Sequence, residues 1–236
     1  MRLGPWMAKG FIGVTALVML FLALVQARII ILPAYYDPYS APDLRQPPYW
    51  LTSSKLQVLD RDPQACEDAL TQAGLQFPLI APTATDSELA CYLENTVMLK
   101  HLSRASLKPE QTRCAIAARL YMWERHILQP TAQAVYGEGI KEITHFGSYS
   151  CRTIHNSSHL SEHATANALD ISGLVLKSGR TISVKHDWQG AAKDQAFLHQ
   201  IRDGLCTYFN LTLSPDYNTD HADHFHVDMG RVRDCR

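Results

Sequence analysis

Two short windows hold imidazole and carboxylate at spacings that restrict how this chain can fold. They are Ser161-Glu162-His163-Ala164-Thr165-Ala166-Asn167-Ala168-Leu169-Asp170 and Asp220-His221-Ala222-Asp223-His224-Phe225-His226-Val227-Asp228. Packing that much polarity into a core is costly unless the groups satisfy one another or a shared ion. Asp170 falls inside an apolar run that reads as a strand. On a second strand, the two-residue spacing of His224 and His226 puts both on one face. A histidine, a carboxylate and another histidine on neighbouring strands can supply three metal ligands and leave a fourth position for water. That arrangement separates a catalytic zinc site from a structural one.

The N-terminus is different material. Phe11 to Val25 carries no charge, follows Arg2 and Lys9, and is succeeded after Gln26-Ala27-Arg28 by a second apolar patch, Ile29 to Leu32. Together they approach the roughly 20 residues a helix needs to cross a bilayer. The run is apolar all round, unlike a surface helix. The expectation for residues 1–32 is therefore a transmembrane helix that makes the membrane a partner, with its basic flank in the cytoplasm. A cleaved signal peptide, with Val25 and Ala27 as the small cleavage-site residues, is the alternative and would give a secreted protein. Both readings export the remainder of the chain to the periplasm or cell envelope, at the inner membrane in the first case. Residues 33–55, rich in proline and tyrosine, read as an extended spacer or as a strap packed on the domain surface. Residues 56–236 are long enough for one sizeable core.

Six cysteines, Cys66, Cys91, Cys114, Cys151, Cys206 and Cys235, agree with an oxidising compartment. None forms a CxxC pair, which argues against a cysteine zinc knuckle, and nearest-neighbour pairing is the expectation: Cys66 with Cys91, Cys114 with Cys151, Cys206 with Cys235. A formal net charge of −1 leaves no global positive field, so no nucleic-acid partner is expected.

The periodicities predict an α+β class: a small, mostly antiparallel sheet carrying the zinc site and flanked by helices. Pro63 to Ala73 reads as a helix capped by Asp62 and stopped at Gly74. A long core helix is expected from near Pro109, through Cys114, Leu120, Trp123 and Ile127, and a short one over Thr131 to Tyr136. Strands are expected over Ile140 to Tyr149, Ala168 to Leu176, Thr181 to Val184 and His224 to Met229. A helix is expected from about Ala191 to Tyr208.

Ser161-x-His163-x6-Asp170 followed by Asp223-His224-x-His226 resembles the metal signature of D-alanyl-D-alanine peptidases and murein endopeptidases. With Ser148-Tyr149-Ser150-Cys151-Arg152 added, the chain looks more closely like the bacterial extensin-like C-terminal domain family over roughly Cys66 to Asp228. Nothing in it resembles the hydroxyproline-rich repeats of plant extensin. The resemblance implies a zinc metallopeptidase acting on peptidoglycan peptides, with His163, Asp170 and His226 as ligands of Zn2+. It implies Asp223 or His224 as the general base and Arg152 as the oxyanion donor. Ser161 and His221 stand as supporting or substrate-contacting residues, and Ala166 occupies a place where the wider superfamily has glycine. A catalytically inactive module that keeps zinc and binds cell-wall peptides or a protein is the alternative, and a disulfide-stapled structural protein without metal is a third reading.

Overall fold

The computed structural model describes residues 5–84, 89, 91–155 and 157–236. The chain divides into two units, Met1–Ser40 and Ala41–Arg236. In the first, α1 (Pro5–Gln26) ends before Arg28, whose guanidinium pairs with the Asp37 carboxylate. Among the described residues no helix is long and apolar enough to cross a membrane, which overturns the expected transmembrane helix. Arg2 lies outside the described residues.

The second unit opens with α2 (Thr52–Arg61) and α3 (Pro63–Gln72). The Asp62 carboxylate accepts from the Ala65 N–H at 3.0 Å, the expected cap. Then come β1 (Leu79–Ile80), β2 (Thr83–Ala84), β3 (Tyr92–Leu93), β4 (Thr96–His101) and β5 (Ser106–Arg113). Next is a continuous helical stretch: α4 (Cys114–Trp123), a π-turn over Glu124–Leu128, and α5 (Gln129–Tyr136). The remainder is β6 (Ile140–Gly147), β7 (Ala168–Leu176), β8 (Thr181–Ser183), α6 (Val184–Asp187), α7 (Ala192–Tyr208), β9 (Leu211–Leu213), β10 (Phe225–Asp228) and β11 (Asp234–Cys235).

In place of a small sheet, one large mixed sheet of nine strands among the described residues runs β1-β4-β5-β6-β7-β10-β9-β11, with β8 also on β7, most of its pairs antiparallel. The β5–β6 and β9–β11 pairs are parallel. The additional strands leave little trace in the sequence because β1, β9 and β11 are two or three residues long. Pro109 does not open a helix; it sits inside β5. There the β4 register shifts between Leu99 and His101, and β6 pairs only Ser106 and Leu107, so no ladder bond is asked of the missing N–H. The helix begins instead at Cys114, and every residue of α4 is buried. Its Trp123 indole N–H donates to the Ile201 carbonyl of α7 at 2.9 Å.

The disulfides are Cys66–Cys114, Cys91–Cys151 and Cys206–Cys235. Only the last keeps nearest-neighbour order. The β4–β5 hairpin carries Cys114 back beside Cys66 on α3, with Cα atoms 6.1 Å apart, which leaves Cys91 to meet the loop after β6. The paired strands β7 and β10 lie well inside this sheet and carry the functional candidates.

Candidate metal centre

The β7–β10 ladder is antiparallel, with His226 directly opposite Asp170. Directly opposed residues project to the same face, so the side chains meet. His226 Nδ1 lies 2.9 Å from Asp170 Oδ1. His163 arrives from a single 3-10 turn, Glu162–Thr165, immediately before β7. The Ser161 hydroxyl caps that turn by accepting the His163 N–H at 3.3 Å. Ala166 ends it at φ +52°, a left-handed conformation, and hands the chain into β7. His163 Nε2 then falls 3.2 Å from Asp170 Oδ1 and 3.1 Å from His226 Nδ1.

The outer nitrogens of both imidazoles are occupied. His163 Nδ1 meets the Ser148 carbonyl at 2.8 Å, and a carbonyl can only accept, so the proton sits on Nδ1 and the Nε2 lone pair faces inward. His226 Nε2–H donates to the Asp228 carboxylate at 3.0 Å. Two imidazole nitrogens and a carboxylate oxygen therefore converge with acceptor lone pairs toward one point. Such a trio is stable only with a cation among them. One proton on His226 Nδ1 is the minimal choice; two nitrogens and one oxygen in this compass also match the donor set of a catalytic zinc ion. Burial alone would push Asp170 up, but the His163 and His226 imidazoles against it hold its carboxyl far below the usual range.

The remaining candidates separate. His224, just before β10, places Nε2 3.5 Å from Asp170 Oδ1, while its Nδ1 is 2.9 Å from the Asp223 carboxylate. Asp223 thus stands behind His224 and does not touch the three converging atoms itself. His221 lies one ring further out, 5.2 Å from the His224 ring and 5.8 Å from that of His226. Burial, and then the charges of His226 and His224, press its imidazole down to about 4, so it is neutral at neutral pH. Arg152 is exposed, its guanidinium donating to the adjacent Thr153 carbonyl at 3.5 Å; among the described residues no hydrogen bond or ion pair joins it to the trio. Beside Asp223 runs a groove of about 220 Å³ lined by Thr144, Phe146, Ser172 and Lys185. The exposed Phe146 ring meets His224 edge-on at 5.7 Å.

Three supporting residues went unassigned in the sequence. Ser148 supplies the carbonyl that orients His163, and its hydroxyl donates to the Ala168 carbonyl at 2.6 Å. Glu110 accepts the Ser148 N–H at 2.8 Å. Asp228 holds His226. Asp228 carries a signal in its two-residue spacing from His226 on the same strand, and Ser148 stands in the Ser148–Arg152 motif with no role assigned to it.

The family model described as extensin-like protein C-terminus matches residues 64–236. No curated protein and no solved structure matches the chain.

Proposed function

The chain belongs to the extensin-like protein C-terminus family, and from that premise and the converging trio we propose that it is a zinc-dependent hydrolase cleaving peptide bonds in peptidoglycan stem peptides or cross-links. The observation that carries the reading is the convergence of His163 Nε2, Asp170 Oδ1 and His226 Nδ1 with His224 beside them. The choice of peptidoglycan is supported by the motif resemblance to D-alanyl-D-alanine peptidases and murein endopeptidases. Three disulfides support an oxidising compartment such as the cell envelope.

His163, Asp170 and His226 would hold the ion, and Ser148 and Asp228 would fix the two imidazoles in the ligating tautomer. Bound there, zinc supplies a Lewis acid that polarises a carbonyl and acidifies water. The protein's own part is proton transfer. His224 Nε2 takes the proton of the attacking water while the Asp223 carboxylate accepts its Nδ1–H and fixes the ring. The water oxygen bonds to the amide carbon, the C–N bond breaks, and His224 returns the proton to the departing amine. Phe146 and the groove beside it offer a surface for the peptide next to the broken bond.

The test is incubation of the zinc-loaded full chain with purified muropeptides, followed by mass spectrometry, beside His226→Ala. New amine and carboxyl ends that vanish in the variant support the hydrolase. Stoichiometric zinc without cleavage of any muropeptide overturns it and favours the second reading, a zinc-containing binding module. The exposure of Arg152 is the observation on that side, since no described cation touches the trio to steady an oxyanion.

A further inference from the structure

A cavity of about 460 Å³ in the second unit is lined by none of the residues of the metal centre. That volume falls within the ~300–1,000 Å³ of small-molecule sites. One wall is the proline- and tyrosine-rich segment preceding α2, which is tied down in the second unit: Leu44 is fully buried, and its carbonyl lies 3.0 Å from His126 Nε2. The opposite wall is the end of α7 and the C-terminal strand, joined by Cys206–Cys235. A disulfide on one side and an anchored segment on the other make this a preformed space.

Three groups in its lining lack the partners that a purely structural role would give them. Trp50 leaves its indole 76% exposed at the cavity, although tryptophan normally buries most of its surface. Tyr208 is 4% exposed, and among the described residues its buried hydroxyl has no hydrogen-bond partner. Burial pushes that phenol up to about 12, which keeps it a neutral donor. Arg119 is 2% exposed; it pairs with Asp60 at 2.7 Å and donates to the Ala115 and Leu56 carbonyls, yet its Nε–H meets no acceptor among the described residues. An unmatched buried donor destabilises the fold unless something meets it.

These features select a ligand class. The Arg119 charge is balanced by Asp60 and Asp234 is paired with Arg236 at 2.7 Å; the other cation of the lining, Arg233, is exposed, so among the described residues no buried cation is left over for a phosphate. Unmatched donors in the wall disfavour a purely apolar guest. A flat exposed indole beside donor groups and the side-chain amides of Gln57 and Asn210 suits a ring whose C–H face stacks and whose edge carries hydroxyls. We propose that this cavity is a saccharide-binding site, with a pyranose ring of a neutral glycan on Trp50 and its oxygens turned toward Tyr208 and Arg119. The site itself stands apart from the hydrolase reading; only the choice of N-acetylated amino sugars as the first probe rests on it.

The test is calorimetry and tryptophan fluorescence of the full chain with the tetramer of N-acetylglucosamine and, separately, cellotetraose. Saturable binding of either is expected, weakened at least tenfold in Trp50→Ala and several-fold in Tyr208→Phe, and unchanged when a chelator strips metal. Trp50 is exposed and Tyr208→Phe deletes one hydroxyl, so both variants should fold, which circular dichroism checks. No binding of either sugar at millimolar concentration overturns the proposal, as does binding that neither substitution alters. Sugar binding without muropeptide cleavage would leave this site standing and remove the hydrolase.

Discussion

His226 sits directly across the β7–β10 ladder from Asp170, with Nδ1 2.9 Å from the carboxylate and Nε2 held by Asp228. Metal affinity should therefore depend on a residue that contacts no metal. Asp228→Asn removes the charge that favours the Nε2–H tautomer and leaves an amide able to donate to Nε2 as readily as accept from it. Zinc affinity is expected to fall about 10–100-fold with the fold intact. Competition against a chromophoric chelator measures it, and an unchanged dissociation constant would show that Asp228 does not set the tautomer.

The same pair makes metal uptake a proton exchange. Burial would lower the His226 imidazole, but the carboxylates of Asp170 and Asp228 outweigh it and raise it to about 9. Its folded value lies above the ~6.5 of a free histidine, so the stability it lends the metal-free protein is full below about pH 6.5 and fades as pH rises through about 9. Asp170 works oppositely: held below its ordinary value, it contributes above about pH 4 and loses that contribution in acid. Near pH 7.5 zinc should displace close to one proton from the site. Calorimetry in two buffers of different ionisation enthalpy reads that number; no release at this pH would mean that His226 is already neutral.

What the sequence made legible tracks how local each cause is. β7 was readable because Ala168–Leu176 is an apolar run set off by polar turns, and the Asp62 cap because its partner, Ala65, is three residues away. The β4–β5 hairpin was not, since Pro109 imitates a helix start and is tolerated only through a register shift in β4, another part of the chain. Two of the nearest-neighbour cysteine pairs fail for the same reason: that hairpin decides which cysteine returns to α3. Ser148 holds His163 through a backbone carbonyl, which no side-chain pattern encodes.

Ala166 gives a conformational test at the turn that carries His163. Its φ of +52° costs about 1–2 kcal/mol for a residue with a Cβ. Glycine would relieve that cost, yet it forfeits about 0.8 kcal/mol from the fully buried methyl and about 0.5–1 kcal/mol of chain entropy. Ala166→Gly should therefore lie within about 1 kcal/mol of the parent in urea unfolding. Ala166→Val places a branched side chain at positive φ in a site with no free surface and should lose about 2–3 kcal/mol, along with zinc affinity through His163. A valine variant as stable as the parent would exclude this turn geometry.

His224 and Asp223 can be ranked because only one of them reaches the trio. With Nε2 3.5 Å from Asp170 Oδ1 and Nδ1 on the Asp223 carboxylate, His224 is the group that can meet a reacting water, and Asp223 acts through it. His224→Ala is expected to keep stoichiometric zinc, since it removes only a neighbour of Asp170 and leaves the three converging groups and the Ser148 and Asp228 contacts in place, while muropeptide turnover drops about 10²–10⁴-fold. Asp223→Asn should lose less, because the imidazole remains and only its orientation is relaxed. Single-turnover cleavage assays on both zinc-loaded variants settle the order. The reverse ranking, with Asp223→Asn the more damaged, would make the aspartate the base and require it to swing away from His224 when substrate binds.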